Sequence, residues 1–388
     1  MDAKAAFNLS SEEVEVQELA RRLANEQLAS RAAAIDASAE YPQDVFDLFR
    51  KVGLFAIPYP PEYGGMNSMM ASCLAIEELA RVCYNSAYML VVQWDQFAVL
   101  LGGGTKEQQE KYLPKLAAGE IRGAISLTEP HSGSDVAGIK TRAVRDGDGY
   151  RLNGAKVWCT NAAVADFVLV AARTGAQEER GVLSLFIVEP GMKGFEIGPS
   201  EKKMGGRGIP SSPLYFDDVY IPSHHRVGDE GSGFAIAMDE LNRARPIAAA
   251  RALGLAQGAM DLAIEFIKSR QAFGHHISDF QGIRWMVADM ATQVAAARNL
   301  VYHAAKAVDR GIRGYELRHL AAIAKLHATE TAMKVATDAV QLFGAAGISN
   351  DYPINRYFRD AKVLQIVEGT SQVQRNIIAR TMLGKAAF

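Results

Sequence analysis

Apolar positions recur at helical spacing through the first 120 residues, collapse into short runs between about 123 and 232, and return to helical spacing from 233 onward. Ser10-Ser11-Glu12-Glu13 has the S-x-x-E form of a capping box and precedes Val14, Val16, Leu19, Leu23 and Leu28, which predicts a helix start. Further helical patterns cover about 43–53 (stopping at Gly53), 69–82, 84–101 and 105–118, while IPYPPEYGG (57–65) reads as a loop of turn residues. After Gly119 come GAISL, YRLNGAKVWCT, DFVLVAART, VLSLFIVE and PLYFDDVYI. These β-branched or aromatic runs are parted by turn signals such as DGDG and PGMKG, as in a compact antiparallel sheet. Alanine-rich amphipathic segments follow at about 233–270, 281–310 and 316–343, with a shorter one at 371–384. The pattern therefore predicts helices, then a β domain, then a helical bundle, with no internal repeat.

Composition narrows the class. The 388 residues exceed one small core and predict two or three domains. Net charge is −2, and Arg142, Arg145 and Arg151 alternate with acids, so neither nucleic acid nor an anionic membrane surface is expected as a partner. Three scattered cysteines, Cys73, Cys83 and Cys159, fit a reducing compartment. MDAKAAFNLSSEEVEV lacks the apolar core of a secretory signal, and no run of about 18 apolar residues predicts a membrane span. The expected location is the cytoplasm, or a mitochondrial matrix where a presequence has been removed.

Familiar chemistry is mostly missing. There is no G-x-G-x-x-G or G-x-x-x-x-G-K-[ST] loop, and Ser232 lacks the hydrolase elbow. The adjacent pairs His224-His225 and His275-His276 point to different sides, so no metal site is expected. Several stretches remain open to two readings. SLTEPHSGSDVAG (126–138) is suited to wrapping a polar ligand with backbone N–H groups, or is a surface turn. Trp158 and Thr160 share a strand face, where a tryptophan is more often core than ligand platform. SRQAFGHHISDFQ (269–281) offers Arg270 and Gln281 to a phosphate or ring, or is an exposed helix end, and QLFGAAG (341–347) permits close approach or merely ends a helix. In QIVEGTSQVQR (365–375), Ser371 and Gln374 fit a capping box, which leaves Glu368 just outside a helix beside Gly369. Ile366 and Val367 suggest an apolar setting, which makes a carboxylate a stronger base; a surface acid near a helix N-terminus is the alternative.

Together these stretches resemble the acyl-CoA dehydrogenase family. The similarity runs over essentially the whole chain, through YPQDVFDLFRKVGLFAIPYPPEYGG, LTEPHSGSDVAG, NGAKVWCTN, FDDVYIP, RQAFG, QLFGAAG and VEGTSQVQR in that order. The resemblance implies an α+β multidomain fold: an N-terminal all-α domain (1–122), a middle antiparallel β-barrel domain (123–232) and a C-terminal four-helix bundle (233–388). It also implies a homotetramer, a dimer of dimers, with one FAD per subunit. Ile125, Ser126, Leu127 and Thr128, with Trp158, Cys159 and Thr160, would lie on the flavin, and Ser134 near both flavin and CoA. Arg270, Phe273 and Gln281, with Gln341, Leu342, Phe343, Gly344 and Ala345, would meet the FAD of a neighbouring subunit. Thr370 and Gln372 match residues that hold the FAD diphosphate and adenosine side.

On the same resemblance, Glu368 is the base that removes the Cα proton of an acyl-CoA thioester while a hydride leaves Cβ for flavin N5, and an electron-transfer flavoprotein takes the electrons onward. Gly369 lets the backbone approach the thioester. Some members carry the acid on an earlier helix, where Leu241 or Ala248 would be the counterparts, and neither is acidic. Arg245 matches an arginine near the CoA end; Asn242 stands where several members have aspartate, and Ala345 replaces a common glycine. Val91 and Trp94, with Gln93, are expected to line the bottom of the acyl pocket, favouring a short, branched or functionalised acyl group. Arg81 and Arg243 are candidates for an acyl carboxylate or are surface residues. Alternatives within the fold are an acyl-CoA oxidase or a desulfinase; outside it, a non-catalytic scaffold.

Overall fold

The computed structural model describes residues 7–175, 179 and 181–384; the first six residues of the acidic N-terminal stretch lie outside that range. Among the described residues the N-terminal part has the α-helices α1 (Ser11–Leu23), α2 (Ala32–Ser38), α3 (Gln43–Lys51), α4 (Met69–Ala80), α5 (Tyr84–Gly103) and α6 (Lys106–Ala117). Helix α1 starts as its sequence dictates: Ser10 Oγ accepts from Glu13 N at 3.1 Å, and Glu13 accepts back from Ser10 N at 2.8 Å. Helices α4 and α5 are buried nearly all round, so they sit inside the molecule rather than on its surface.

Strands β1 (Gly123–Ser126), β2 (Arg142–Asp146), β3 (Gly149–Thr160), β4 (Phe167–Arg173), β5 (Leu183–Val188), β6 (Phe195–Ile197), β7 (Ser211–Pro222) and β8 (Arg226–Val227) form one sheet. Its order is β6-β7-β3-β2-β4-β5-β8, with β1 beside β4. The pairing is mainly antiparallel, and β1 joins β4 in parallel. A register shift between Lys156 and Cys159 interrupts the β3–β7 ladder. There Trp158 takes φ +59° and stands 54% exposed, not in the core position that strand statistics favour, because the bulge re-aims its side chain outward.

Past β8, the bundle comprises α7 (Gly233–Ser269), α8 (Gln281–Asp309), α9 (Gly314–Phe343), α10 (Ile354–Leu364) and α11 (Ser371–Leu383). A two-residue turn, Phe273 (φ +53°) and Gly274 (φ +79°), joins β9 (Gln271–Ala272) to β10 (His275–His276). Among the described residues α7 alone is long and apolar enough to span a membrane, contrary to the expectation from the sequence; it is the core helix of the bundle, with 78% of its most apolar stretch buried. Gly254 and Gly258 let α7 press on α4: a Cβ there would meet Glu77 O at 2.1 Å and Arg81 O at 2.0 Å. Polar contacts seat the parts on one another. Arg359 bonds both Asp36 oxygens at 3.0 and 2.5 Å, and Asp360 accepts from Gly206 N at 2.7 Å. All three cysteines are buried free thiols, and burial pushes the Cys159 thiol up to about 12.

Candidate active site

The segments at 125–128 and 156–160 lie side by side. Val157 N donates to Thr128 O at 3.0 Å, Lys156 Nζ to Leu127 O at 3.1 Å, and Cys159 Sγ sits 3.6 Å from Ile125 O. Ile125, Ser126, Leu127, Thr128, Trp158, Cys159 and Thr160 thus make one ledge. Its loop is pinned by Glu129, a buried carboxylate that accepts from Lys140 N, Thr141 N and Lys156 Nζ at 2.6, 2.8 and 2.8 Å. Burial opposes the Glu129 charge, and these donors hold its carboxyl below the ordinary range. Ser134 follows on the exposed part of that loop.

From the ledge a chain of contacts runs to the acid. Thr160 Oγ1 and Tyr88 Oη are 3.2 Å apart; the Arg251 guanidinium lies 4.2 Å from the Tyr88 ring centroid and 5.2 Å from that of Tyr84. Arg251 Nη2 then donates to Glu368 Oε1 at 2.5 Å. Arg251 is wholly buried and the Glu368 side chain 16% exposed, with Oε2 buried and unpartnered. Burial opposes the Arg251 charge, but Tyr84, Glu368, Tyr88 and Asp95 outweigh it and hold the group above its ordinary value. The apolar setting expected for Glu368 is therefore corrected: Ile366 is 56% exposed, and a guanidinium faces the acid.

The loop bearing Glu368 is held at both ends. Lys325 Nζ, fully buried on α9, donates to Leu364 O at 2.9 Å and Gly369 O at 2.8 Å. Burial pulls its ammonium down to about 8, against the attraction of Glu368. Glu368 and Gly369 take φ +56° and +87°, and a Cβ on Gly369 would meet Gln374 Nε2 at 2.6 Å. The capping residue is Thr370, whose side chain accepts from Val373 N, not Ser371 as the sequence suggested. Ser371 Oγ instead donates to Glu330 at 2.6 Å, and Gln374 Nε2 to Gly369 O at 2.9 Å. Gln372 is exposed on the first turn of α11.

Other candidates fall elsewhere. Trp94 Nε1 donates to Phe55 O at 2.9 Å and Gln93 Nε2 to Ile121 O at 2.7 Å, so both face the N-terminal core and not an acyl pocket. Val91 shares the α5 face of Tyr84, Tyr88 and Asp95. Half-buried Asp95 is pushed up to about 8, first by burial and then by Glu368, with Arg251 opposing. Arg81 bonds Asn25 at 2.7 Å and Arg243 lies 3.7 Å from Glu240. Arg245 is buried and donates to Asn242 Oδ1, and burial draws it down to about 10. Tyr84, Tyr88, Asp95, Arg251 and Lys325 escaped the sequence reading. The signal was there: AAARALGLA and AAIAKL each set one cation in an otherwise apolar helical run, and a charge in such a run needs a partner.

A concavity of about 640 Å³ gathers Arg270, Phe273, Gln341, Leu342, Phe343, Gly344 and Ala345 between the ends of α7 and α9. Gln281 opens α8 beside it without lining it. Phe273 is 93% exposed, and a Cβ on Gly344 would meet nothing within 4 Å. An outward-turned tryptophan on a polar ledge and an open cleft beside an arginine fit the ring and phosphate ends of a flavin dinucleotide.

Comparison with known proteins agrees. The acyl-CoA dehydrogenase N-terminal, middle and C-terminal domains match residues 10–120, 124–219 and 231–383. Cyclohexane-1-carbonyl-CoA dehydrogenase of Geobacter metallireducens is 41% identical over 98% of this chain and all of its own. Butyryl-CoA dehydrogenase of Megasphaera elsdenii is 37% identical over 97% of this chain and 99% of its own, with a TM-score of 0.93. A chain solved in work on the electron transferring flavoprotein of Acidaminococcus fermentans is 40% identical over 98% of this chain and all of its own, also with a TM-score of 0.93. With all three domains matched in order and the three-part fold reproduced, this chain belongs to the acyl-CoA dehydrogenase family.

Proposed function

We propose that this acyl-CoA dehydrogenase oxidises a short or alicyclic acyl-CoA thioester at Cα–Cβ, with Glu368 as the base. The observation that carries the reading is a lone carboxylate with one oxygen tied and one free: Oε1 is bonded to Arg251, and Oε2 is buried without a partner. A base needs one free lone pair within reach of the proton it takes. Gly369 leaves the adjoining backbone open to a thioester, whose carbonyl oxygen gains charge as the proton leaves and requires a donor. The tyrosine rings of Tyr84 and Tyr88 crowd the surroundings of the acid, which favours a compact acyl group. That agrees with the butyryl and cyclohexane-1-carbonyl substrates in the names of the relatives.

FAD supplies the hydride acceptor. The ledge at 125–128 and 158–160 would hold its ring, Thr370 and Gln372 its diphosphate and adenosine side, and the cleft at Arg270 and 341–345 would serve the FAD of a second copy. Exposed Phe273 and Trp285, 93% and 61%, support burial of that face in a homotetramer. Ser134, Asn242 and Arg245 are assigned to the CoA side, and an electron-transfer flavoprotein to the onward step. The test is Glu368→Gln. The variant should keep its yellow colour and bind butyryl-CoA, yet fail to bleach anaerobically; bleaching at the parent rate removes Glu368 from the role.

A further inference from the structure

The geometry points to Arg251 as the positioning residue of the base: its forked guanidinium, seated on Tyr88 and Tyr84, fixes Glu368 Oε1 so that Oε2 alone meets the substrate. This inference rests on the assignment of Glu368 above and adds the residue that acts through it.

Three observations carry it. Arg251 is wholly buried and bonded to the acid at 2.5 Å, so neither partner is free to wander in solvent. Its Nε and Nη1 and the Glu368 Oε2 are buried and unpartnered, which leaves the one bond as the orienting contact between the two groups. Its flat face is stacked over two tyrosines, and a planar cation is held by such faces where a flexible ammonium is not.

The same cluster contains a second carboxylate for comparison. The groups around Glu368 are Tyr84, Tyr88 and Asp95 on α5, Arg245 and Arg251 on α7, and Lys325 on α9. Asp95 has no hydrogen bond to Arg251 and is pushed up to about 8, so near neutrality it keeps its proton. Of the two acids in the cluster, Glu368 is the one bonded to the guanidinium.

The test uses the FAD-loaded enzyme in anaerobic rapid mixing with butyryl-CoA and cyclohexane-1-carbonyl-CoA, following flavin bleaching as a function of acyl-CoA concentration. Arg251→Gln should slow bleaching at saturation on the order of a hundredfold, the cost of a misplaced reacting group, with acyl-CoA affinity held within about threefold of the parent. Arg251→Lys keeps the charge and loses the fork, so it should slow bleaching about tenfold. A Gln variant at the parent rate, or one whose loss lies in acyl-CoA affinity and not in the saturated rate, overturns the inference. If the Gln variant does not accumulate as yellow protein, the Lys variant decides, and a parental rate overturns it. Glu368→Gln is run alongside: bleaching there sinks the base itself, whereas an inert Glu368→Gln beside unaffected Arg251 variants sinks only the positioning role.

Discussion

Lys325 shows at residue scale how much a single buried cation can organise. It donates to the carbonyls of Leu364 and Gly369, at the two ends of the loop whose residues 368 and 369 are left-handed. Left-handed φ at a glutamate is strained and persists only where the surroundings impose it. Lys325→Met fills similar volume and takes the ammonium donor from Leu364 O, while Gly369 O keeps Gln374 Nε2. The expected result is a loss of about 1–3 kcal/mol, read as a lower thermal midpoint, together with slower flavin bleaching at little-changed acyl-CoA affinity. Glycine plays the complementary part at 369, where any Cβ would strike Gln374.

At the scale of elements, α7 is the spine against which the site is built. Its glycines at 254 and 258 touch backbone carbonyls of the α4 segment, so Gly254→Ala would drive a methyl into Glu77 O. Such overpacking should cost about 1–3 kcal/mol, seen as a lower denaturation midpoint with the FAD site formed but less stable. The helices were largely legible in the sequence because an amphipathic face leaves a 3.6-residue imprint, and the Ser10 capping box appeared as read. Helix α10 (Ile354–Leu364) was passed over although Ile354, Tyr357, Ala361 and Leu364 mark one buried face, and α2 because it spans only seven residues. Trp94 was assigned to the wrong side for a different reason. Helix α5 is buried nearly all round, so periodicity cannot say which of its faces looks into a pocket. The ledge could be read from SLTEPHSG and VWCTN only by likeness to relatives, since strand pairing is non-local and the bulge at Trp158 has no local signature.

At the scale of the whole molecule, the domains are locked together by polar groups that resist ionisation or depend on it. Asp360, on α10, accepts from Gly206 N in the middle domain, and burial pushes its carboxyl up from 3.8 to about 7. Between those values the folded chain keeps a proton that the unfolded chain has released, so stability falls as pH rises from about 4 to about 7. Asp360→Asn retains an acceptor oxygen for Gly206 and removes the titration. Its thermal midpoint should decline less than the parent's between pH 5 and pH 7.5; parallel declines would show that other groups set the slope.

The buried cysteine of the ledge has a consequence for the lifetime of the enzyme. A redox protein meets hydrogen peroxide whenever oxygen intercepts its electrons, and peroxide attacks thiolates rather than thiols. With the Cys159 thiol pushed up to about 12, roughly one molecule in 10⁵ carries a thiolate there at neutral pH. The ledge sulfur is thus shielded from sulfenic acid formation by the same burial that builds the ledge.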